Sequence, residues 1–399
     1  MMVLGTAGTG KSYLVYALSR LGGFLRRAAP TGMAGFLVAG STLHSLLRLS
    51  VRQGRNLQGR SLKALQNSLA GVNYIIIDEL SMANQSQMAW VDRRRRQGTA
   101  VDEPFGGISV IMTRDLGQVQ PMGGSPLYKQ NLTAALNFEG YAAFRLFQDI
   151  FILDRVQRQT AAAANDDDQR GFIELLPRAR DGQLCDEDWH LLLKKQPNSL
   201  TAAEKANFED ATRLSFSKKE VNKYNGKKLR KLNNSVARVS AVHTGANARR
   251  ATADTAEGLE RDLYLAKGAK VMLSKNLSQQ VGLVNGIRGE VVELVYADDA
   301  PKLSLHVIVK FGGYSGGDWS SQARYRGCVP ISPVETMWQD GGTQVRTQLP
   351  HRLCWAITMH KSQGQTLAKA VTDLGPKEAC TGLTFVCLSR AKRLVDLIV

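Results

Sequence analysis

The chain has 399 residues, enough for two or three domains with hydrophobic cores, and its 43% hydrophobic content is typical of a folded globular protein. Lysine and arginine exceed the acidic residues by 52 to 35, and the net charge of +17 predicts a polyanionic partner. Nucleic acid is favoured over a membrane surface, and a basic surface without a partner is the remaining alternative. No apolar run approaches ~18 residues, which excludes a membrane-spanning helix, and no secretory signal is visible.

The cysteines are odd in number and lack the C-x-x-C spacing of metal or redox sites: they are Cys185, Cys328, Cys354, Cys380 and Cys387. This pattern predicts reduced, mostly buried thiols in a protein of the cytosol, the nucleus or an organelle matrix. The histidines likewise show no zinc-ligand spacing.

A glycine-rich loop is the first element along the chain, and it consists of Gly5, Thr6, Ala7, Gly8, Thr9, Gly10, Lys11 and Ser12. The pattern G-x-x-x-x-G-K-[ST] is typical of loops whose backbone N–H groups surround nucleotide phosphates. We predict an ATP or GTP site, with Ser12 as a Mg²⁺ ligand and a helix from Ser12 to about Leu21. A flexible glycine-rich turn is the alternative.

Short strands and helices alternate after this loop, which predicts a parallel sheet with helices on both faces. Strands are expected at 26–29, 74–78 and 108–113, and a helix is expected from Thr31 onward. The polar, basic stretch at 50–60 is interpreted as an exposed insertion.

The segment from Tyr74 to Glu79 joins four bulky residues to two acids. A run without polar alternation predicts a strand that is buried on both faces, with the acids at its carboxyl end. We expect Asp78 to hold Mg²⁺ through water and Glu79 to be the general base for the attacking water. A solvated acidic turn is the alternative.

The run from Arg93 to Arg96 has two interpretations. It could form a patch for nucleic acid, but consecutive residues wrap all sides of a helix, so a solvated helix face is favoured. The sequence leaves its role open.

Later segments indicate further structure. Gln118 follows the strand at 108–113, which places it beside the terminal phosphate as a sensor. The acidic stretch at 165–169 is interpreted as a solvated connection after the first domain. Glycine-rich turns separate short strands at 289–296, 305–311 and 328–331, which predicts a small β-barrel, and the α/β pattern returns at about Leu353.

Two long, specific motifs lie near the end of the chain. One contains A-I-T-M-H-K-S-Q-G-Q-T-L at 356–367, and the other contains L-S-R-A at 388–391. Together with Gln118 they resemble superfamily 1 helicases, specifically the petite-integration-frequency (PIF) and RecD-like group that moves 5′ to 3′. The resemblance covers nearly the whole chain, with further matches at 29–34, 41–45, 153–159, 268–273, 282–286 and 329–331.

This resemblance implies an α/β fold of two RecA-like domains with parallel sheets and ATP between them. The first domain is expected at 1–160 with a short insertion near 49–70, and the second at 161–242 and 343–399. The small, SH3-like β-barrel is expected at 243–342 as an insertion in the second domain.

The resemblance also assigns roles to residues. The expected catalytic residues are Lys11, Glu79, Gln118, Arg158 and Arg390, and Gly364 joins the loop in the nucleotide site. Arg158 and Arg390 are expected to bring positive charge to the ATP phosphates. Arginine suits this role because it stays charged and engages two phosphate oxygens, and a structural salt bridge is the alternative for each. The residues expected to contact DNA are Pro30, Thr31, Gly32, Thr42, His44, Asn285, Thr358, His360, Lys361 and Ser362. For His44, helix packing is the alternative.

Two departures from the family pattern matter. Where the family has G-D-x-x-Q-L-P-P, Arg114 replaces the glycine and Val119-Gln120 replace Leu-Pro, so we expect a retained sensor with an altered local backbone. Only Met1 to Leu4 precede the loop, whereas the family has an adenine-recognising glutamine upstream. The expectation is weakened or less base-selective nucleotide binding.

The sequence thus predicts an ATP- and Mg²⁺-dependent 5′-to-3′ DNA helicase for DNA repair, recombination and telomere maintenance. Single-stranded, forked or tailed DNA is the expected partner of a monomer in the nucleus or, alternatively, the mitochondrion. The alternatives are a different P-loop ATPase, such as a nucleotide kinase, and a truncated nucleic-acid-binding relic with weak catalysis.

Overall fold

The computed structural model describes residues 1–20, 24–49, 56–115, 117–121, 123–159, 166–296, 306–375, 378 and 380–399. The chain divides into two compact units. The first unit comprises Met1–Glu209 and Ser362–Val399, and the second unit comprises Asp210–Lys361. Among the described residues, no helix combines the length and the apolar composition that a membrane crossing requires.

The strands, in chain order, are β1 (Met2–Gly5), β2 (Leu25–Ala29), β3 (Ser41–Thr42), β4 (Tyr74–Ile77), β5 (Ser109–Arg114), β6 (Ile150–Leu153), β7 (Thr212–Ser215), β8 (Ala237–Ser240), β9 (Val242–Thr244), β10 (Asp262–Leu265), β11 (Lys270–Leu273), β12 (Arg288–Val295), β13 (His306–Phe311), β14 (Cys328–Ile331), β15 (Val334–Gln339), β16 (Thr343–Gln348), β17 (His351–Leu353), β18 (Ala356–Thr358), β19 (Ala370–Asp373) and β20 (Leu397–Ile398).

The α-helices are α1 (Lys11–Ser19), α2 (Gly32–Leu37), α3 (Leu43–Leu47), α4 (Gly59–Leu69), α5 (Gln85–Thr99), α6 (Ala135–Arg145), α7 (Asp167–Asp181), α8 (Asp186–Leu193), α9 (Ala202–Ala206), α10 (Lys218–Lys231) and α11 (Leu383–Leu388). Short 3₁₀ turns lie at Leu80–Met82, Pro104–Gly107, Pro197–Ser199, Ala323–Tyr325, Met359–Ser362 and Leu394–Asp396.

A six-stranded parallel sheet organises the first unit, in the order β3-β2-β4-β5-β1-β6. The central strand β4 is buried on both faces from Ile75 to Ile77, as its sequence predicts, whereas Tyr74 at its start is exposed. Ile75 and Ile77 pack into one hydrophobic cluster, while Ile76 packs with Val15 and Val38 in another. The predicted α/β fold with a parallel sheet is confirmed, and the carboxyl ends of the strands meet at one edge, where ligands bind in such folds.

The second unit is rich in antiparallel strands. A five-stranded sheet has the order β14-β13-β12-β11-β17, and a three-stranded sheet has the order β15-β16-β9. The strands predicted at 289–296, 305–311 and 328–331 are β12, β13 and β14, although residues 297–305 lie outside the described part of the chain. The closed barrel stays a prediction, because β14 and β17 are edge strands of this sheet in the described residues.

Residue 165 of the acidic stretch at 165–169 lies outside the described residues, and from Asp166 onward the prediction of a solvated connection is wrong. The Asp166 carboxylate accepts a hydrogen bond from Gln169 N at 3.0 Å and caps α7, while Asp167 and Asp168 occupy the first turn. Acidic residues are favoured there because they pair with the unsatisfied N–H groups and the positive end of the helix dipole.

The arginine run at 93–96 is only half solvated, so the predicted solvated face is wrong for two of its members. Arg94 and Arg95 are 2% and 0% exposed in α5. Arg95 Nη2 donates to Ile108 O at 2.7 Å and its guanidinium lies over the Phe105 ring, and burial lowers its pKa to about 9. These neighbours come from another segment, so the local pattern could not reveal them.

Two further predictions concern α1 and the insertion. Helix α1 ends at Ser19, before the expected end at Leu21, which lies outside the described residues. Residues 50–55 of the expected insertion are likewise outside the described residues, whereas α4 places Leu65 and Leu69 in the core of the first unit. All five cysteines are free thiols, and Cys328, Cys354 and Cys387 are buried.

Candidate nucleotide site and nucleic-acid contacts

The glycine-rich loop connects β1 to α1 and adopts a backbone that only glycine tolerates easily. Gly8 and Gly10 have φ of 88° and 93°, in the left-handed region. Gly10 is the N-cap of α1 without a side-chain cap, and no acidic residue lies in the first turn. The free N–H groups and the positive end of the helix dipole therefore face the loop, as an anion site requires.

Lys11 lies at the centre of this loop. Its Nζ donates hydrogen bonds to Gly5 O at 2.8 Å and to Thr6 O at 2.9 Å, and the residue is 7% exposed. Thr9 Oγ1 donates to Thr6 O at 3.0 Å. The ammonium group is thus held inside the loop by the loop's own carbonyls.

Asp78 and Ser12 form the candidate metal position. Ser12 Oγ donates to Asp78 Oδ2 at 3.3 Å, and Asp78 is 2% exposed at the end of β4. Thr113 Oγ1, from the neighbouring strand β5, donates to Asp78 Oδ1. A carboxylate and a hydroxyl in contact are hard oxygen donors of the kind that Mg²⁺ uses, so these residues fit the predicted ion.

Glu79 has the features of a catalytic base. Its φ of 54° lies in the left-handed region, which is uncommon for a non-glycine residue. Its Oε2 atom is buried without a hydrogen-bond partner among the described residues. Burial raises the pKa of this carboxyl, the charge of Asp78 raises it further, and the charges of Lys11 and Arg390 partly oppose the rise.

Arg158 and Arg390 bring two guanidinium groups together in the first unit. Arg158 Nη1 donates to Ser389 O at 3.2 Å, and Arg390 donates to backbone carbonyls of Val386 and Gln365 at 2.7 and 3.0 Å. Neither makes a salt bridge within the described part of the chain. Burial, with repulsion from Arg158, lowers the pKa of Arg390 to about 10. Two close cations that form no salt bridge in the described residues provide what a polyphosphate needs, although the charge of Glu79 acts on both.

A single cavity of about 280 Å³ collects most of these groups. Its lining residues are Ala7, Gly8, Gly10, Lys11, Ser12, Tyr13, Glu79, Gln118, Gln157, Arg158, Gly364 and Arg390. All five expected catalytic residues are therefore on one cavity, and Asp78 lies behind Ser12. Sequence reasoning missed Tyr13 and Gln157, although each is adjacent in sequence to a predicted residue; Tyr13 is 80% exposed.

The predicted strand-contacting residues of the first unit lie near the carboxyl ends of β2 and β3, which pair in parallel. Thr31 and Thr42 are N-caps, and their hydroxyls accept from Ala34 N and Ser45 N at 3.2 and 3.0 Å. Pro30 and Gly32 flank the first cap, and burial lowers the pKa of His44. Ser362 is fully buried, so we withdraw its side chain from the candidate contacts.

The predicted contacts of the second unit are Asn285, Thr358, His360 and Lys361. Asn285 is exposed, and Thr358 ends β18. Lys361 retains solvent exposure, yet desolvation of its ammonium and the nearby Arg352 charge lower its pKa to about 8. Burial also lowers the pKa of His360.

The chain matches known proteins along nearly its whole length. The PIF1-like helicase family matches residues 1–190, and the 2B domain of DNA helicase Pif1 matches residues 255–294. The ATP-dependent DNA helicase PIF1 of Danio rerio is 32% identical over 406 residues, which cover 98% of this chain and 57% of the relative. The chain belongs to the PIF1-like helicase family.

Solved structures support the fold of this PIF1-like chain. The crystal structure of Pif1 helicase from Candida albicans has a TM-score of 0.75 at 25% identity, covering all of this chain and 89% of that one. A Bacteroides Pif1 in complex with ADP-AlF3 and single-stranded DNA has a TM-score of 0.73 at 24% identity, covering all of this chain and 87% of that one. The predicted RecA-like fold class is therefore confirmed. The chain spans little more than half the length of the curated relatives it matches.

Proposed function

We propose that this protein is an ATP-dependent DNA helicase that moves 5′ to 3′ on single-stranded DNA and opens duplexes. The observation that carries the proposal is the cavity that joins Lys11, Glu79, Gln118 and the Arg158–Arg390 pair. These groups match the needs of phosphoryl transfer to water, namely positive charge at the phosphates, a base and an oriented amide. ATP and Mg²⁺ would supply the transferred phosphoryl group and charge neutralisation.

The residues around the cavity have different proposed roles. The loop and Lys11 would bind the phosphates, while Ser12 and Asp78 would hold the metal ion. Glu79 would take a proton from the attacking water at its unpartnered Oε2, and Gln118 would orient the terminal phosphate. Arg158 and Arg390 would stabilise the charge that develops on the transferred group.

Binding of single-stranded DNA is proposed for the residues at the ends of β2 and β3 and for Asn285, Thr358, His360 and Lys361. The Bacteroides Pif1 complex contains single-stranded DNA, which supports single-stranded DNA as the ligand but does not bear on the individual residues. The net charge of +17 and the lysine-rich helix α10 supply cations for a polyanion. We retain as proposals the domain limits at 1–160, 161–242 with 343–399, and 243–342, a monomeric state, and a nuclear or mitochondrial location.

DNA affinity should depend steeply on salt, because each phosphate neutralised by lysine or arginine releases condensed counterions. We expect the affinity for an unstructured oligonucleotide to fall by about 10³-fold between ~50 and ~200 mM salt if six or more phosphates are contacted. Fluorescence anisotropy at several salt concentrations measures this slope. A flat response would indicate a partner other than nucleic acid.

The polarity of unwinding tests the proposed direction. With ATP, a duplex with a 5′ single-stranded tail should be unwound, whereas one with a 3′ tail of the same sequence should stay paired. ADP in place of ATP is the control, because it occupies the site without supplying a transferable phosphate. Preferential opening of the 3′-tailed duplex would contradict the direction while leaving the ATPase proposal intact.

The second candidate function is a nucleic-acid-binding relic with weak turnover. It is favoured by Arg114, which replaces the glycine that precedes the aspartate in the family's sensor motif. ATPase measurements with and without single-stranded DNA distinguish the two functions. DNA binding without stimulated hydrolysis would support the relic.

A further inference from the structure

Arg180 lies near the end of α7 and contacts the loop that follows β5. Its Nε donates to Asp115 Oδ1 at 3.3 Å, and the Asp115 side chain has 0% exposure against 24% for Arg180. A Cβ built on Gly117 would lie 2.4 Å from Arg180 Cγ, so the arginine stem packs directly against the loop backbone. The contact joins a helix outside the cavity to the loop that contains Asp115, Gly117 and the predicted sensor Gln118.

Asp115 connects this arginine to the cavity. Its Oδ1 also accepts from Gly117 N at 3.0 Å, and its Oδ2 accepts from Gln118 Nε2 at 3.3 Å. Gln118 Oε1 accepts in turn from Gln363 Nε2 at 2.9 Å. One continuous chain of hydrogen bonds therefore leads from Arg180 to the Gln118 amide, which lines the cavity.

The adjacent Arg114 does not take over this role. Its guanidinium lies over the rings of Tyr128 and Phe144, at 5.9 and 5.6 Å from their centroids. Arg114 Nε and Nη1 have no hydrogen-bond partner within the described residues. Among the described residues, Arg180 is therefore the salt-bridge partner of the buried Asp115, although it also pairs with Asp181 at 2.9 Å. The charges of Arg114 and Arg390 act on Asp115 without forming a salt bridge, so removing Arg180 would leave a buried carboxylate without an ion-pair partner.

We propose that Arg180 is a positioning residue for the terminal-phosphate sensor: it neutralises Asp115 and thereby fixes the Gln118 amide in the cavity. The inference rests on the proposed ATPase function. It assigns Arg180 no contact with the nucleotide. Loss of Arg180 should therefore slow the chemical step more than it weakens ATP binding.

The test compares Arg180→Gln and Arg180→Lys with Arg178→Gln on the same helix. Arg178 is the matched control because it pairs with Asp188 at 2.6 and 2.8 Å, and its ion-pair partners in the described residues, Asp188 and Glu174, lie outside the loop that follows β5. We expect Arg180→Gln to lower kcat about 10-fold with a KM for ATP within about twofold of wild type. Arg180→Lys should recover most of the loss, since an ammonium can still pair with Asp115, and Arg178→Gln should lower the unfolding temperature without lowering kcat.

A second readout needs neither nucleotide nor turnover. Without ligand, Arg180→Gln should accelerate hydrogen exchange at the Gly117 amide, which donates to Asp115, and Arg178→Gln should not. In the double variant Asp115→Asn/Arg180→Gln, kcat should equal that of Asp115→Asn alone.

The outcomes separate the inference from the proposed function. A wild-type protein without ATPase activity overturns the proposed function, while the exchange measurement still tests the Arg180 contact. Unchanged exchange and unchanged kcat in Arg180→Gln overturn the inference alone. Equal losses in the Arg178 and Arg180 variants, or additive losses in the double variant, show a general effect on folding and also overturn it.

Discussion

Lys11→Ala should reduce ATP hydrolysis by at least ~10²-fold, because a preorganised cation in a buried site stabilises the charge on the transferred phosphate. Two loop carbonyls hold the ammonium, at 2.8 and 2.9 Å, and among the described residues no other lysine lines the cavity. Steady-state phosphate release with and without single-stranded DNA measures the loss. The affinity for single-stranded DNA should change little, because the proposed strand contacts do not include Lys11.

A matched control distinguishes the loss of the lysine in the cavity from the loss of one positive charge on the protein. Lys63 is exposed on α4 of the same unit, so Lys63→Ala removes one positive charge without touching the cavity. This variant should hydrolyse ATP at the wild-type rate. If Lys11→Ala retains wild-type turnover, the nucleotide site lies elsewhere and the proposed function is wrong.

The candidate nucleotide site was predictable because each of its parts is specified by a short segment of sequence. The spacing of the loop, the buried strand ending at Asp78 and the two late motifs each specify a short segment, and the sheet brings these segments together. The expected α/β fold followed from the alternation of helix and strand. The positions of Glu79, Arg158 and Arg390 on one cavity confirm that the segments meet, while their catalytic roles stay proposals.

Other features depend on tertiary neighbours and could not be predicted. Arg94 and Arg95 look like solvated charges in the sequence, but both are buried in α5, and Arg95 contacts Phe105 and Ile108 in the segment that follows the helix. The contact from Arg180 to Asp115 joins residues 65 positions apart, and no motif marks it. The aspartates at 166–168 look like a loop by composition, because the same residues favour both loops and helix N-termini.

Glu79→Gln should slow hydrolysis by about 10²- to 10³-fold while ATP stays bound, because the amide cannot take the proton from water. Asp78 and Lys11 remain in place, so the proposed metal and phosphate contacts should be preserved. Single-turnover experiments should show a long-lived ATP complex.

Glu139→Gln is the control, since Glu139 is an exposed carboxylate paired with Arg93 outside the cavity. This variant should leave turnover unchanged. Hydrolysis at the wild-type rate in Glu79→Gln would place the base elsewhere.

The pH dependence of wild-type hydrolysis provides an independent check on Glu79. Desolvation and the charge of Asp78 raise the pKa of its carboxyl above the ordinary 4.5, so the acid limb of kcat/KM should lie at higher pH than for an exposed glutamate. The folded state binds this proton more tightly than the unfolded state does. The free energy of unfolding therefore falls as pH rises from 4.5 through the raised pKa, and the cost of the buried charge persists above it.

Glu79→Gln removes both the free-energy cost of the buried carboxylate and the acid limb of the kcat/KM profile. The variant, although slow in hydrolysis, should therefore unfold at a higher temperature than wild type at neutral pH. A lower unfolding temperature would mean that Lys11 and Arg390 stabilise the Glu79 carboxylate by more than its burial costs.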